Sequence, residues 1–482
     1  MRVKEFNYIF RLVYISMSDT KFKPVLGLWD GTMLVAGSMI GSGIFIVSAD
    51  ILRNVGSSGW LIAVWLITGF MTISAAVSYG ELSGMFPKAG GQYVYLKEAF
   101  NPLIAFLYGW SFFAVIQTGT IAAVGVAFSK FMAYIVPGVS EDLVFLSVGS
   151  FVISPAQVVS IITIILLTYI NTRGVQGGKL IQTSFTVTKI VSLFGLIVFG
   201  FIMAKGDVWT ANWTDAWNLQ RLNADGTTTS YVFIAALGAI AAAMVGSIFS
   251  SDAWNSVTFI AGEIKNPQRN IGLSLFLGTL IVTIIYVLAN LMYTAVLPVQ
   301  ELAFSDKDRV GVTAANVIFG NIGTVIIALM IMVSTFGCNN GLILAGARVY
   351  YTMAKDGVFF RQAGELNRFA VPQLALWVQC ILASLWCLSG KYGDLLDMVS
   401  FVVVLFYVLT IVGIFVLRKK QPDTPRPYKA FGYPVVPLIY ILMGVTFCGL
   451  LIWFKPHFTW PGLIITLLGV PVYFFALGKK KV

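Results

Sequence analysis

Apolar stretches of about twenty residues or more alternate with short polar segments along almost the whole chain. A helix that crosses the ~30 Å hydrocarbon core of a bilayer needs about 20 apolar residues. The many short alternating strands of a membrane β-barrel are missing from the sequence. We therefore predict an all-α polytopic membrane protein with twelve transmembrane helices. We number them spans 1 to 12, near residues 27–53, 60–83, 102–136, 153–171, 180–203, 232–261, 271–296, 313–350, 374–389, 394–417, 435–454 and 459–477.

The composition agrees with this pattern, because 58% of the 482 residues are hydrophobic and only 11% are charged. A soluble domain carries about 25% charged residues, so a soluble enzyme, a disordered scaffold and a secreted disulfide module are excluded. All four cysteines lie inside apolar stretches, which argues against a disulfide framework and a thiolate metal site. We expect no cofactor and no metal. The net charge of +11 is spread between the apolar runs, so nucleic acid is not expected as a partner.

The loop charges predict the orientation of the chain. With the N-terminus placed in the cytoplasm, 23 of the 32 Lys and Arg residues fall on that side, eight on the other, and Lys189 inside a span. Basic residues are enriched in cytoplasmic loops. We therefore expect a multi-pass protein of the plasma (inner) membrane with a cytoplasmic tail at 1–24 and a cytoplasmic C-terminus at 478–482.

Three spans contain runs of small or polar residues that depart from a plain helix: Gly37–Phe45 in span 1, Gly246–Asn255 in span 6 and Ser334–Gly341 in span 8. Spans 1 and 6 lie five helices apart and therefore cross the membrane in opposite directions. Interrupted helices at corresponding positions of two oppositely oriented halves indicate an inverted-repeat transporter. We predict that helices 1 and 6 are discontinuous within two five-helix repeats, 25–203 and 231–417, followed by two additional helices at 435–477.

Both predicted breaks fall at a similar depth. Asp30 precedes Gly41 by 11 residues, and Asp252 precedes Glu263 by 11, which is ~16 Å of helix in each case. The ends of the half-helices offer amide donors at one break and carbonyl acceptors at both. A zwitterionic amino acid presents the matching carboxylate and ammonium groups.

In this hypothesis Ser42 and Gly43 donate to the carboxylate, while Ile40, Phe249 and Asp252 accept from the amine. Phe249 is also a candidate aromatic gate over the substrate. The full predicted substrate site is Ile40, Gly41, Ser42, Gly43, Ile44, Phe249, Ser250, Ser251, Asp252 and Trp254.

Simpler interpretations stay open for these residues. The spacing of Gly37 and Gly41 is also typical of close helix packing. Asp252 can instead cap the inner half-helix of span 6, although an acid at membrane depth is by default a functional candidate.

Lys189 lies ten residues beyond Lys179 in span 5, ~15 Å deep, where its side chain does not reach the interface. A fixed cation there can replace a sodium ion and couple to conformational change, or it can simply bond helix-end carbonyls. Four polar residues are possible pocket residues, although hydrogen bonds between helices are the simpler interpretation of each: Gln117, Thr120, Asn339 and Tyr407.

Glu81 and Glu263 lie at the cytoplasmic ends of spans. They are candidates for inner-gate ion pairs with Lys88, Arg269 or Arg348. As exposed pairs they would contribute little to stability.

Several motifs carry a family resemblance: Gly41–Phe45, Ser83–Gly91 followed by Tyr93 and Tyr95, Phe249–Asn255, Glu263–Asn270, Ser334–Gly337 and Pro425–Lys429. Together they resemble the amino acid–polyamine–organocation superfamily, and within it the L-amino-acid transporter branch, over about residues 24–477. The resemblance implies five-plus-five inverted repeats, alternating access and sodium-independent transport, with the branch's span 5 lysine at Lys189.

Two features differ from that family. Ala253 stands where a glycine is usual, which narrows the conformational freedom of the break. Residues 137–152 lack the outer-loop cysteine that links animal members to a glycoprotein subunit, so we expect a stand-alone bacterial-type member without a disulfide-linked heavy subunit.

The predicted function is sodium-independent secondary transport of L-amino acids across the plasma membrane by exchange. Proton-coupled symport and transport of polyamines or cationic metabolites stay open as alternatives, the latter because of Asp252. A membrane-embedded enzyme is disfavoured, since His457 is the single histidine and no catalytic cluster is evident. A channel would show charge rings or repeated filter loops instead of paired breaks.

Overall fold

The computed structural model describes residues 22–148, 151–389 and 392–478. The N-terminal tail predicted at 1–24 and the C-terminal segment predicted at 478–482 therefore lie almost wholly outside the described residues.

Helices form nearly all of the described chain. Nine of them are long and apolar enough to cross a membrane, and two shorter apolar helices together with a divided span 1 complete twelve spans. The bounds are Leu28–Met39 with Val47–Val55 (span 1), Ser58–Met85 (span 2), Pro102–Ser111 with Gln117–Met132 (span 3), Pro155–Thr172 (span 4), Val175–Ile202 (span 5), Phe233–Ser250 with Ser256–Phe259 (span 6), Pro267–Val296 (span 7), Asn321–Lys355 (span 8), Gln373–Ser389 (span 9), Tyr392–Lys420 (span 10), Val435–Phe454 (span 11) and Pro456–Gly478 (span 12). The predicted all-α polytopic fold is confirmed.

Shorter elements connect the spans. The helices among them are Gln92–Ala99, Gly206–Thr214, Val299–Ala303 and Val310–Phe319, and a π-helical turn at Phe112–Ile116 joins the two parts of span 3. Leu146–Val148 pairs antiparallel with Phe151–Ile153, and Gln220–Leu222 pairs with Thr228–Ser230.

Span 8 differs from its prediction in two ways. The predicted start at 313 falls in a separate helix, because the chain turns at Gly320, whose φ is 67°. The run Ser334–Gly341, expected to depart from a plain helix, lies inside one continuous helix. Its small residues serve close packing instead: a Cβ on Gly337 would lie 2.8 Å from the Cβ of Phe185 in span 5.

Spans 1 and 6 occupy the centre of the bundle. Span 1 packs against spans 5, 7 and 8, and span 6 packs against spans 2, 10 and 11 and against the second half of span 1. Every residue from Gly31 to Phe45 is buried. We call the side of the bundle that carries residue 22 the inner side and the opposite side the outer side.

Candidate substrate site

The break in span 1 lies where the glycine and serine run predicts it. The inner helix ends at Met39, and Ile40 leaves the helix with an extended backbone. A single 3-10 turn, Gly43–Phe45, precedes the second helix, which begins at Val47. The second helix therefore starts about one turn after Gly43, because the 3-10 turn comes first.

The break in span 6 comprises Ser251–Asn255, between helices that end at Ser250 and resume at Ser256. Ala253 adopts a φ of 63°, in the left-handed region that an L-residue with a Cβ visits at a cost. Asn255 occupies the N-cap position of the helix that follows, without a capping hydrogen bond from its side chain. Asp252 is therefore not its N-cap, and the capping interpretation of Asp252 is wrong.

The two breaks touch each other. A Cβ added to Gly43 would lie 2.0 Å from Ser250 Oγ and 3.1 Å from Ser250 Cα, so only glycine fits here. The hydroxyl of Tyr286 in span 7 lies 2.9 Å from the carbonyl oxygen of Met39 and 3.1 Å from that of Ser250, where it can donate to either. The breaks thus lie at one level, as the depth argument predicts.

A small cavity, the break cavity, lies between them. Its volume of ≈ 20 Å³ is room for about one water molecule, so the structure is closed around this point. Its lining includes predicted substrate residues from both breaks: Gly41, Ser42, Gly43, Phe249, Ser250 and Asp252. Thr120 of span 3 and Cys338 of span 8 complete the wall.

A second cavity of ≈ 20 Å³, the side cavity, adjoins the first. Thr120, Asp252 and Ala253 line both cavities. Gln117 and Tyr407, which the sequence proposes as pocket residues, line the side cavity together with Gln92, Tyr108 and Asn255. The side cavity therefore has a mixed lining, since the apolar side chains of Phe112, Ile116, Leu342 and Val403 line it as well.

Asp252 connects the two cavities and is buried. The Tyr407 hydroxyl donates to Asp252 Oδ1 at 2.6 Å. Trp254 lines neither cavity; its ring packs 4.8 Å from that of Tyr79 and 5.0 Å from that of Tyr407, measured between centroids. The Tyr407 hydroxyl and the packed rings of Tyr79 and Trp254 thus hold the Asp252 carboxylate in position.

The other candidates have mainly local roles. Ile40, Ile44 and Ser251 line neither cavity. Asn339 faces span 3, where its amide donates to the carbonyl of Ile121 at 3.2 Å. This contact fits its interpretation as a hydrogen bond between helices. Gln117 also bonds between helices, to the carbonyl of Leu342 at 2.6 Å.

Lys189 is buried beside the break in span 1. Its ammonium donates to the carbonyl oxygens of Gly37 at 2.5 Å, Ile40 at 2.6 Å and Ser334 at 3.3 Å. The Ser334 hydroxyl donates to Ile40 at 3.1 Å. A carbonyl oxygen has two lone pairs, so the Ile40 oxygen, predicted to accept from a substrate amine, already has two donors in this conformation.

Buried ion pairs lie on the inner side. Glu263 accepts from Arg348 at 2.9 Å, and their side chains are 2% and 0% exposed. Glu81 pairs with Arg418 at 2.6 Å and with Arg426 at 3.3 Å. The pairing of Glu263 with Arg348 was among the predicted options, whereas the partners of Glu81 were not. The expectation of exposed pairs was wrong, since all of these carboxylates are buried.

The outer side opens into a vestibule of ≈ 230 Å³. Five basic side chains and three carboxylates line it. Arg53 pairs with Asp308 at 2.5 Å, and Lys455 pairs with Asp397 at 3.0 Å, which links the second half of span 1 and span 10 to neighbouring elements. The vestibule also reaches Val47 and Gly246, which lie close to the two breaks.

Comparison with known proteins agrees with this geometry. The amino acid permease family matches residues 26–476. The chain belongs to the amino acid permease family. The large neutral amino acids transporter small subunit 2 of Homo sapiens is 30% identical over 94% of this chain and 81% of its own length. The serine/threonine exchanger SteT of Bacillus subtilis (strain 168) is 29% identical over 96% and 98%, and the b(0,+)-type amino acid transporter 1 of Mus musculus is 29% identical over 89% and 82%.

The permease is therefore an amino acid transporter and not an enzyme. Within the described ranges, no group of three or more His, Cys, Asp or Glu residues could hold a metal ion.

Sequence reasoning missed three residues that contact the site of the permease. Tyr286 bridges the two breaks from the middle of span 7. Gln92 comes from a short helix between spans 2 and 3 and accepts from the Asn255 amide at 3.0 Å. The Tyr108 hydroxyl is buried, with no hydrogen-bond partner among the described residues. Isolated polar groups inside apolar helices were the available signal for Tyr108 and Tyr286, whereas nothing local points from Gln92 to the site.

Proposed function

We propose that the permease exchanges L-amino acids by alternating access without sodium. One observation carries this proposal above all: the Lys189 ammonium binds the carbonyl oxygens at the end of the inner half of span 1, where a transported cation would otherwise be needed to satisfy them. A covalently attached cation does not dissociate, so it cannot deliver the energy of an ion gradient by leaving. The exchanger among the relatives supports the same conclusion.

In the proposed bound state, the substrate carboxylate accepts from backbone N–H groups at Ser42 and Gly43. Because the Ile40 oxygen already accepts from Lys189 and Ser334, we assign the amine chiefly to the carbonyls ending the first half of span 6, near Phe249, and to Asp252. The break cavity must expand to admit the substrate, with Phe249 as the side chain that opens and covers it.

The side cavity is the proposed position of the substrate side chain. The polar side chains that line it are Gln117, Thr120, Asp252 and Tyr407, and the apolar ones include Phe112 and Ile116. This mixed wall suits a small side chain that carries both polar and apolar atoms. Asn339, which lies away from both cavities, is assigned to packing between spans 3 and 8.

A second candidate is transport of cationic substrates such as polyamines. The buried carboxylate of Asp252 lines both cavities, and the side chains that line them supply no cation to balance it. Proton-coupled symport is the other alternative, with Lys189 as the group that gains and loses the proton.

We also propose that the inner side is cytoplasmic, that the membrane is the plasma membrane and that both termini are cytoplasmic. The loop charges support this orientation. The breaks in spans 1 and 6 support two inverted repeats, 25–203 and 231–417, with helices 435–477 added. The four cysteines are free and buried, which supports function without a disulfide-linked subunit.

Proteoliposome uptake tests these assignments. Vesicles preloaded with an unlabelled neutral amino acid should take up the labelled one much faster than empty vesicles, with equal rates in sodium and in choline. Equal uptake by empty vesicles under an imposed inward proton gradient would favour symport instead. Competition by a diamine, at least as strong as that by neutral amino acids, would favour the cationic class.

A further inference from the structure

A groove of ≈ 1060 Å³ lies on the periphery of the bundle, between spans 2 and 7 and the start of span 11. Apolar side chains form most of its wall, including Phe70, Val77, Leu273, Phe276, Phe431 and Val436. Several of these residues are exposed on membrane-spanning helices, as Phe70 (46%) on span 2 and Leu273 (37%) on span 7 illustrate. The groove therefore opens toward the hydrocarbon of the bilayer and not toward water.

The length of the groove corresponds to one leaflet. The residues that line it run from Phe70 to Val77 on span 2, ~10 Å of helix, and from Gln268 to Phe276 on span 7, ~12 Å. Half of a hydrocarbon core is ~15 Å thick. The groove is therefore not much shorter than the hydrocarbon of one leaflet, and the acyl chains of one lipid can lie along it.

A cation stands at its inner end. Arg269, at the start of span 7, lines the groove and is exposed. Among the described residues, no carboxylate lies within ion-pair distance of its guanidinium. Two further lysines are exposed as well: Lys265, four residues before Arg269, and Lys429, which follows the groove residue Tyr428. By contrast, Arg418 and Arg426 on the same side both pair with Glu81.

The wall opposite span 7 is held in place. The Glu81 carboxylate accepts from the backbone N–H of Ala430 at 2.8 Å as well as from Arg418. The ring of Tyr428 packs on Gly80, where an added Cβ would lie 2.7 Å from Tyr428 Cε1. The groove is thus formed by fixed elements.

We propose that this groove binds one anionic phospholipid, with its phosphate on Arg269 and its acyl chains along spans 2 and 7. Basic pockets between membrane helices on the cytoplasmic side are suited to anionic headgroups. A guanidinium also binds a phosphate through two parallel hydrogen bonds.

Native mass spectrometry of the full-length protein in mild detergent tests this proposal. The probes are phosphatidylglycerol and phosphatidylcholine with identical acyl chains. Arg269→Gln should retain about 5–10-fold less phosphatidylglycerol than the wild type, since one basic contact near a membrane surface is lost. The matched control is Arg361→Gln, an exposed arginine between spans 8 and 9, which should bind like the wild type.

A second variant fills the groove without changing charge. Leu273→Trp should lower the retention of phosphatidylglycerol while the protein keeps its melting temperature in detergent. Equal retention of phosphatidylcholine by the wild type would overturn the proposal, since the charge would then play no part. Unchanged binding by Arg269→Gln would also overturn it. So would a second copy of the chain in place of lipid, seen as a dimer mass that Leu273→Trp abolishes.

Discussion

The break in span 1 contains Gly41 and Gly43, whereas the break in span 6 has no glycine and turns at Ala253. The carbonyls that end the first helix of span 1 accept from side chains of three other spans: Lys189 in span 5, Tyr286 in span 7 and Ser334 in span 8. The break in span 6 is instead enclosed by aromatic rings from spans 2 and 10.

This difference indicates that the two breaks have different roles. Hydrogen bonds to the end of a helix can be exchanged for others at little net cost, because each contributes only about 0.5–1.5 kcal/mol. Ring packing around Trp254 is lost only by moving bulky side chains. We infer that span 1 changes partners during transport, while span 6 positions Asp252 and moves less.

The largest effect is expected for Gly43→Val, which forces the two breaks apart. Its side chain would overlap Ser250, and overpacking of this kind costs ~1–3 kcal/mol or more. Transport in proteoliposomes should fall at least tenfold. Gly195→Val is the control, because a Cβ there meets no atom within 4 Å, and it should transport normally. Near-normal transport by Gly43→Val would show that the breaks do not meet during the cycle.

Lys189→Ala should also lower transport strongly, with substrate binding still measurable by thermal shift. It removes the cation that holds the carbonyls of Gly37 and Ile40, and each buried carbonyl left without a donor costs ~1–3 kcal/mol. Lys205→Ala, at the exposed outer end of the same span, should leave both readouts unchanged. Wild-type exchange by Lys189→Ala would remove the coupling role from this lysine.

A smaller loss is expected for Tyr286→Phe, which removes the hydroxyl between Met39 and Ser250. A loss of ~1–2 kcal/mol corresponds to roughly 5–30-fold in the population of the closed form. Tyr293→Phe is the matched control, because its hydroxyl makes one long contact, 3.4 Å to the carbonyl of Ile44. The two variants should therefore differ in exchange rate, and identical rates would argue against the bridge.

The smallest effect is expected for Ala253→Gly, which should stabilise the protein where the other variants impair transport. Glycine adopts the φ of 63° without a Cβ clash, so the melting temperature should rise slightly, by the equivalent of ~1 kcal/mol. Ala243→Gly, in the helix before the break, should lower it by a similar amount. A lower melting temperature for both variants would mean that the break is not strained.

The fold and the level of the breaks could be predicted from the sequence because the signals are local. Twelve apolar runs define the spans, and glycine and serine runs stand out within them. The same signal failed at Ser334–Gly341, since small residues serve close packing as well as they serve a break. The sequence alone cannot distinguish these roles without knowing that Phe185 packs on Gly337.

The side chains that bond to the site residues were harder to predict from the sequence. The Ile40 carbonyl was expected to accept from substrate, yet it accepts from Lys189, because only the assembled bundle determines which donor approaches it first. Gln92 likewise reaches the side cavity from outside the spans, through a contact of 163 residues in sequence separation.

The buried pair of Glu263 and Arg348 has a consequence for how the inner side opens. Two charges removed from water have lost their hydration, and the attraction between them recovers only part of that loss. When water enters from the inner side, both charged groups regain their hydration shells. The closed state is then held mainly by packing and by backbone bonds such as those from Val25 and Leu26 to Glu263. Hydration of Glu263 and Arg348 therefore favours the opening of the inner side.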